Sequence, residues 1–376
     1  MELERERIVA RLAQYVNLPS GSYDLPGLAA FTAQVESDMC ALGFAVTRHS
    51  APGVGDTLEC VYGDGEDTLL LLGHMDTVFP RAESQPFCDL GGDEVTGSGV
   101  MDMKGGLLIM QTALADVLPD LPKAARVVCV LNADEEIGSG TSSALITEWA
   151  KKSFACLVFE PMRESGALVC QRKGVISFRV RCTGIRGHAG SAYLRSASAI
   201  QQLCAVIGEL YALRDDARQI SVNVGVISGG TAENVVCDEA TALAEVRFYN
   251  PAYGEEILGK LHAICEKPGV PGTATELTVN ASHPPFMATE KSLRLLALAQ
   301  EVAREQGIEL PAEDTGGAGD VSFASLAGVA ALDGLGLRGF GAHTTKERGV
   351  LSSFAQNAKL SAALMRALID NPDAVR

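Results

Sequence analysis

Apolar positions along this chain follow two rhythms, and the rhythm changes twice. Residues 5–16 repeat at helical spacing, and so do residues 27–42, which stop before Gly43 as a helix with a C-cap glycine would. Short apolar runs then alternate with helices. Residues 69–72 read as a strand followed by Gly73 and His74, and residues 105–117 as a helix ended before Pro119. Residues 127–131 read as a strand followed by Asn132, Asp134, Glu135 and Glu136. Residues 142–149 read as a helix, and 157–159 as a strand leading into Glu160. Such alternation predicts an α/β layer with a mixed, mostly parallel sheet flanked by helices.

Near residue 176 the pattern becomes that of half-buried strands. Residues 176–182, 221–227 and 240–249 alternate, 276–279 reads as a further strand, and 196–213 and 255–266 have helical spacing. This β-α-β-β-α-β order over about 105 residues is that of a ferredoxin-like α+β domain. After His283-Pro284-Pro285 helical spacing returns at 291–306. A strand at 329–332 and a final helix at 352–369 follow. The expected organisation is therefore one domain from 1–176 and 283–376, interrupted by an inserted domain at 177–282.

Composition narrows the function. The chain has 376 residues, 47% of them hydrophobic, more than one compact core usually needs. Its net charge of -16 and pI near 4.9 make nucleic acid and anionic membrane poor partners. The N-terminal stretch is charged from Glu2 onward and has no apolar region of a secretory signal, and no run approaches a membrane span. Ten cysteines lie singly, without a Cys-x-x-Cys pair, which reads as free thiols in a reducing cytoplasm. Gly97-x-Gly99 lacks the rest of a phosphate-loop fingerprint, so nucleotide binding is set aside.

The chemistry lies in where acidic and imidazole groups fall. His74 and Asp76 follow the first parallel strand, Asp102 sits among glycines, Glu135 and Glu136 follow the second strand, Glu160 the third, and His343 the last. In open α/β sheets, sites form outside the carboxyl ends of strands. Two histidines and three carboxylates make a zinc-type donor set without sulfur. Five side chains exceed the three protein ligands of one catalytic zinc. They suit two zincs about 3.5–4 Å apart that share a carboxylate and activate a water between them. Glu135 and Glu136 are neighbours, so one can face a metal while the other is free as a general base. Asp76, on the same face as His74, can accept its second imidazole N–H and fix the tautomer.

The segments GHMDTV (73–78), GSGVMDMKGG (97–106), NADEEIGSGTS (132–142), FEP (159–161), RGHAGSA (186–192), GGAGDVSF (316–323) and GFGAHT (339–344) together resemble the aminoacylase and glutamate carboxypeptidase family. That family includes carboxypeptidase G, acetylornithine deacetylase and succinyl-diaminopimelate desuccinylase, and the match runs in order over nearly the whole chain. The resemblance implies two zinc ions per subunit, with cobalt or manganese as substitutes. One is held by His74, Asp102 and Glu160, and the other by Asp102, Glu136 and His343. It further implies Glu135 as general base, Asp76 as the residue orienting His74, and a cis peptide after Asp102. The inserted domain is expected to form a homodimer, with His188 reaching the partner's active site to stabilise the oxyanion. Asn234 and Arg247 are expected to hold the substrate carboxylate, beside a loop containing Gly316 and Gly317.

The expected reaction is hydrolysis of an amide bond next to a free C-terminal carboxylate in a small molecule or short peptide. Deacylation of an N-acyl amino acid uses the same chemistry and is the alternative; a non-catalytic binding protein on the same fold is a remote one, since it predicts a missing ligand or base. Glu160, where deacetylases tend to carry aspartate, is closer to the carboxypeptidase G branch. Ala318 and Gly319 replace a threonine of that branch and so remove a hydroxyl that could touch substrate. Lys173 is an extra cation that meets either a second substrate carboxylate or solvent.

Overall fold

A computed structural model describes residues 2–267 and 269–376, so Met1 and Pro268 lie outside the described residues. The chain divides into two compact units: Met1–Gln171 with Ala288–Thr315 and Gly319–Arg376, and Arg172–Met287 with Gly316–Ala318.

The first unit is built on a six-stranded sheet. Its order is Ala45–His49, Thr57–Tyr62, Ala125–Asn132, Asp67–His74, Ser153–Val158 and Ala330–Leu332. The last four strands are mutually parallel and the first two add antiparallel at one edge. Leu69, Leu70 and Leu71 are fully buried, as are Val127, Val128 and Cys129. A strand covered on both faces has no polar side to show, so it reads as an unbroken apolar run. The helices Gly105–Val117 and Leu351–Asp370 contribute to the same core. Short strands at Cys88–Asp89, Glu94–Thr96, Arg348–Val350 and Gly339–Phe340 form a separate small sheet.

Parallel register brings the chemistry to one rim. His74 pairs with Asn132 at the carboxyl ends of their strands, and Leu72 pairs with Val158. The residues just beyond these pairs are Asp76, Glu135, Glu136 and Glu160. Gly106 is needed where the helix Gly105–Val117 starts: a Cβ there would stand 2.0 Å from the Phe159 carbonyl oxygen, beside Glu160.

The second unit holds a four-stranded antiparallel sheet ordered Ser221–Gly229, Glu239–Phe248, Gly174–Thr183 and Ala274–His283. With the helices Ala199–Tyr211 and Pro251–Glu266, this is the ferredoxin-like arrangement. Ile176, Phe178, Val180 and Cys182 alternate inward and pack with Leu203, Val206 and Leu261 of the helices. The outer strands run beyond their alternating cores. Arg172 and Phe286 exchange backbone hydrogen bonds of 3.0 and 3.1 Å where the compact unit, Arg172–Met287, begins and ends. The first helix starts at Ala199 because the Ser198 hydroxyl accepts the Gln201 amide. The second starts at Pro251 and not at 255. Pro at the first helical position loses no intrahelical bond, and Asn250 caps it. Among the described residues no helix is long and apolar enough to cross a membrane.

Candidate metal centre

At the rim of the six-stranded sheet, His74, the last residue of its strand, is buried. Its Nδ1 lies 3.0 Å from the backbone carbonyl of Asp76, an acceptor only, so Nδ1 carries the proton. The Asp76 carboxylate is further away, at 3.5 Å. Nε2 is thereby the nitrogen left for a metal, and it faces Asp102 Oδ1 at 3.2 Å and Glu160 Oε1 at 3.6 Å. The other oxygen of Asp102, Oδ2, lies 3.2 Å from His343 Nε2, which is also 3.3 Å from Glu136 Oε2. Two donor sets thus meet at one carboxylate: His74, Asp102 and Glu160, and Asp102, Glu136 and His343. Carboxylate oxygens of Glu135 and Glu160 lie within 4.8 Å of each other and of a His74 ring nitrogen.

Backbone geometry serves the same end. Asp102 lies in an irregular turn, Val100–Lys104, with φ -116° and ψ 91°, and the Asp102–Met103 peptide is cis. Glu135 and Glu136 form a single tight turn after their strand. The Asp76 carboxylate holds that turn, accepting the Glu135 amide at 3.3 Å, the Glu136 amide at 3.2 Å and the Ser22 hydroxyl at 2.8 Å. Asp76 thus acts on His74 through its backbone and on the two glutamates through its side chain. His343 has φ 62°, a left-handed conformation uncommon for a residue with a side chain and concentrated at functional sites.

The electrostatics call for positive charge. Burial opposes charge on His74, yet Asp102, Asp76 and Glu160 outweigh it and hold the imidazole well above its ordinary value. Asp102 and Glu136 push His343 up to about 11. Burial, then the charge of Glu160, raises Glu135 well above the usual carboxylate range, and burial also raises Glu136. Crowded carboxylates behave this way when no cation is shared between them. Glu136 Oε1 is buried without a hydrogen-bond partner among the described residues, which a metal ligand oxygen would be. Imidazole and carboxylate donors with no sulfur fit a pair of divalent cations.

Several supporting residues were not anticipated from the sequence. Glu347, buried, accepts the backbone amides of Gly99 at 2.9 Å, Met101 at 2.8 Å and Asp102 at 3.1 Å. Asp134 binds the Thr141 amide and the Thr141 and Ser142 hydroxyls. Asp320 accepts Asn132 Nδ2 at 2.6 Å and the Ser139 hydroxyl at 2.5 Å. Asp134 and Asp320 stand inside the family motifs; Glu347, in a polar stretch, carried no signal.

In the inserted unit, His188 lies on a two-residue strand, Gly187–His188, paired with Val235–Val236. The Asn234 carbonyl accepts the Ala189 amide at 3.0 Å, so these two loops are neighbours. His188 Nδ1 accepts the amides of Gly190 and Ser191 at 3.1 and 3.3 Å. Its proton therefore sits on Nε2, which is left as a donor. Arg247 binds Glu245 through Nε and Nη2 at 2.8 and 3.0 Å and gives Nη1 to the Gly316 carbonyl at 2.7 Å. Gly317 belongs to the same short segment. Lys173 donates to the Gln219 carbonyl at 2.8 Å and lies over the Tyr249 ring.

Comparison with known proteins gives the family. The model of the peptidase family M20/M25/M40 matches residues 70–367. Carboxypeptidase G2 of Pseudomonas sp. (strain RS-16) is 30% identical over 371 residues, covering 96% of this chain and 89% of that protein. Succinyl-diaminopimelate desuccinylase of Stenotrophomonas maltophilia (strain K279a) is 30% identical over 307 residues, covering 76% and 80%. An M20 family metallo-carboxypeptidase from Sulfolobus solfataricus, Sso-CP2, superposes with a TM-score of 0.79 at 17% identity, covering 96% and 99% of the two chains. The chain is a hydrolase and belongs to the peptidase family M20/M25/M40.

Proposed function

We propose that this enzyme hydrolyses an amide bond adjacent to a free carboxylate, in the manner of a glutamate carboxypeptidase, with two zinc ions held by His74, Asp102 and Glu160 and by Asp102, Glu136 and His343. The observation that carries the reading is the division of Asp102, one oxygen toward each histidine, with Glu135 beside the first set. When bound, such a cation pair polarises the scissile carbonyl and lowers the pKa of the attacking water. Cobalt or manganese satisfies the same donors.

The protein's own residues supply the rest. Glu135 takes the proton of the attacking water and passes it to the leaving amine nitrogen. The Asp76 contact to its amide fixes where Glu135 stands. His188 offers an Nε2–H to the developing oxyanion, and its tautomer supports that role. The resemblance assigns it to the active site of a partner subunit, so the reading includes a homodimer through the inserted unit. Arg247 receives the substrate carboxylate, helped by Asn234 and by the loop of Gly316 and Gly317. Its side-on edge is taken by Glu245 and Nη1 donates to the Gly316 carbonyl, so the substrate carboxylate would meet the N–H groups of Nη1 and Nη2 that remain. Domain limits at 1–176, 177–282 and 283–376 are retained as the functional division into catalytic and dimerisation parts. Ten unpaired cysteines support a cytoplasmic setting.

The deacylase reading keeps every one of these roles and exchanges only which side of the amide is larger. The experiment is to replace Glu135 with Ala and assay peptides and N-acyl amino acids for released amino acid. Turnover lost with metal retained is the expected result; substantial turnover removes Glu135 as the base.

A further inference from the structure

We propose that a cavity in the first unit, walled by the helices Glu2–Val16, Leu25–Ala41, Gly105–Val117 and Leu351–Asp370, is a second ligand site apart from the metal centre. Its ligand is an unbranched fatty carboxylate, held by its tail on an apolar floor and by its head against uncommitted cations. The proposal goes beyond the amide-hydrolase reading and does not depend on it.

The cavity has a volume of about 780 Å³, within the range of sites that hold small molecules. Leu108, Phe354 and Ala358 form its buried apolar floor, while Ala115, Ala355 and Ala362 have side chains too short to close it. Folded interiors otherwise pack at the density of organic crystals, so an unfilled volume of this size between four helices is room for a ligand. An adjoining cleft of about 470 Å³ shares Glu4, Ile8 and Ala355 with it and extends to Leu351. The combined space is elongated, as an alkyl chain is.

One buried polar group faces this space without a full set of partners. Gln111 lines the cavity and is only 7% exposed. Its side-chain amide meets only the Tyr15 hydroxyl among the described residues, with Nε2 donating at 2.8 Å, and that hydroxyl donates to Asp38 at 2.6 Å. One N–H of Nε2 therefore remains for an acceptor, and a carboxylate oxygen is one.

Charge selects the sign of the head. Arg11 is committed to Asp38 and Gln14, and Asp116 to Arg366. Arg7 and Lys359 have no ion-pair or hydrogen-bond partner among the described residues, and Glu4 is the one uncommitted acid of the described lining. Two free cations to one free acid is the reverse of the whole chain, whose net charge is -16. Arginine and lysine lay their methylene stems along apolar walls and keep their charge in water, which suits an anion with an apolar tail.

The place is distinct from the metal centre. The helix Gly105–Val117 begins beside the turn of Asp102, and Gln111 to Asp116 lie about 9–16 Å further along it at 1.5 Å per residue. Among the described residues no candidate metal ligand lines the cavity.

Calorimetric titration of the metal-loaded protein with hexanoate, octanoate, decanoate and decylammonium, each below its micelle concentration, tests the site. The wild type, Ala355→Trp and the double variant Arg7→Glu with Lys359→Glu are compared, with thermal stability measured on each; all three positions are exposed. The wild type is expected to bind one decanoate, about tenfold tighter than octanoate, as two more buried methylenes imply. It is expected to prefer decanoate to decylammonium by about fivefold or more. Ala355→Trp is expected to weaken decanoate by at least about tenfold, and the charge reversal to abolish the preference over decylammonium. Equal affinity for hexanoate and decanoate, the mark of a head bound alone, overturns the site. So do decylammonium binding as tightly as decanoate, decanoate binding unchanged in both variants, and binding of none of the probes. Should Ala355→Trp not fold, the charge reversal and the chain-length series decide by themselves.

Discussion

Glu347 places its buried carboxylate 3.1 Å from the backbone amide of Asp102, although 245 residues separate them in the chain. The same carboxylate accepts the amides of Gly99 and Met101, so one side chain fixes the whole turn that carries Asp102, the proposed bridging ligand. Groups that orient metal ligands typically contribute 10–100-fold to metal affinity. Glu347→Gln, which replaces an acceptor oxygen with a donor amide facing N–H groups, is expected to weaken metal binding by about tenfold or more. Titration of the apo-protein with Zn2+ reads this directly, with circular dichroism as the control for folding.

Asp76 leads to a different expectation. Its carboxylate holds the turn carrying Glu135 and Glu136, and its carbonyl holds His74. Asp76→Asn keeps the carbonyl contact but turns one carboxylate oxygen into a donor against an amide. The expected outcome is a fall in kcat of roughly 10²-fold, the scale of a displaced general base, with His74 still able to bind metal. An unchanged kcat would show that the turn is held by something else.

Arg247 presents a fork that Glu245 and Gly316 already fix in the plane. A lysine has a single point of charge and cannot keep both partners and a substrate carboxylate. Arg247→Lys is therefore expected to raise KM by about tenfold or more for substrates ending in a carboxylate, with kcat changed less. Equal loss on amidated substrates would contradict the role.

Lys104, fully buried under the turn, donates to the Leu18 carbonyl at 2.8 Å and stands 4.8 Å from the Phe31 ring centre. Burial lowers its pKa to about 7, against the pull of Glu347. Between pH 7 and 10.5 the unfolded chain carries a proton there that the folded chain has released. Stability therefore rises with pH across this window, by up to about 1.4 kcal/mol per pH unit. Urea unfolding of the metal-free protein at pH 7.5 and 9 checks the slope, and Lys104→Met is expected to remove this contribution.

The parts of the fold legible in the sequence were those where one physical demand set the pattern. The parallel strands at Asp67–His74 and Ala125–Asn132 are buried on both faces, so each appears as an apolar run ending in polar site residues. The helix Gly105–Val117 was legible to the residue, framed by glycines and Pro119. The edge strand Ala45–His49 was not, because it is largely exposed and its sequence carries little apolar signal. The small sheet of Cys88–Asp89, Glu94–Thr96, Gly339–Phe340 and Arg348–Val350 has strands of two or three residues, too short for any period. The candidate ligands His74, Glu136 and Glu160 stood out because they follow strand ends, and Asp102 and His343 because they stand within family motifs. Glu347 did not, because its partners are backbone amides, and no residue type advertises those.

The most direct test of two cation sites sharing Asp102 is calorimetric titration of the metal-free protein with Zn2+, for the wild type and Asp102→Ala. The account predicts two equivalents per chain in the wild type and loss of high-affinity binding at both sites in the variant. A single equivalent in the wild type, or two tight sites surviving without Asp102, would contradict it.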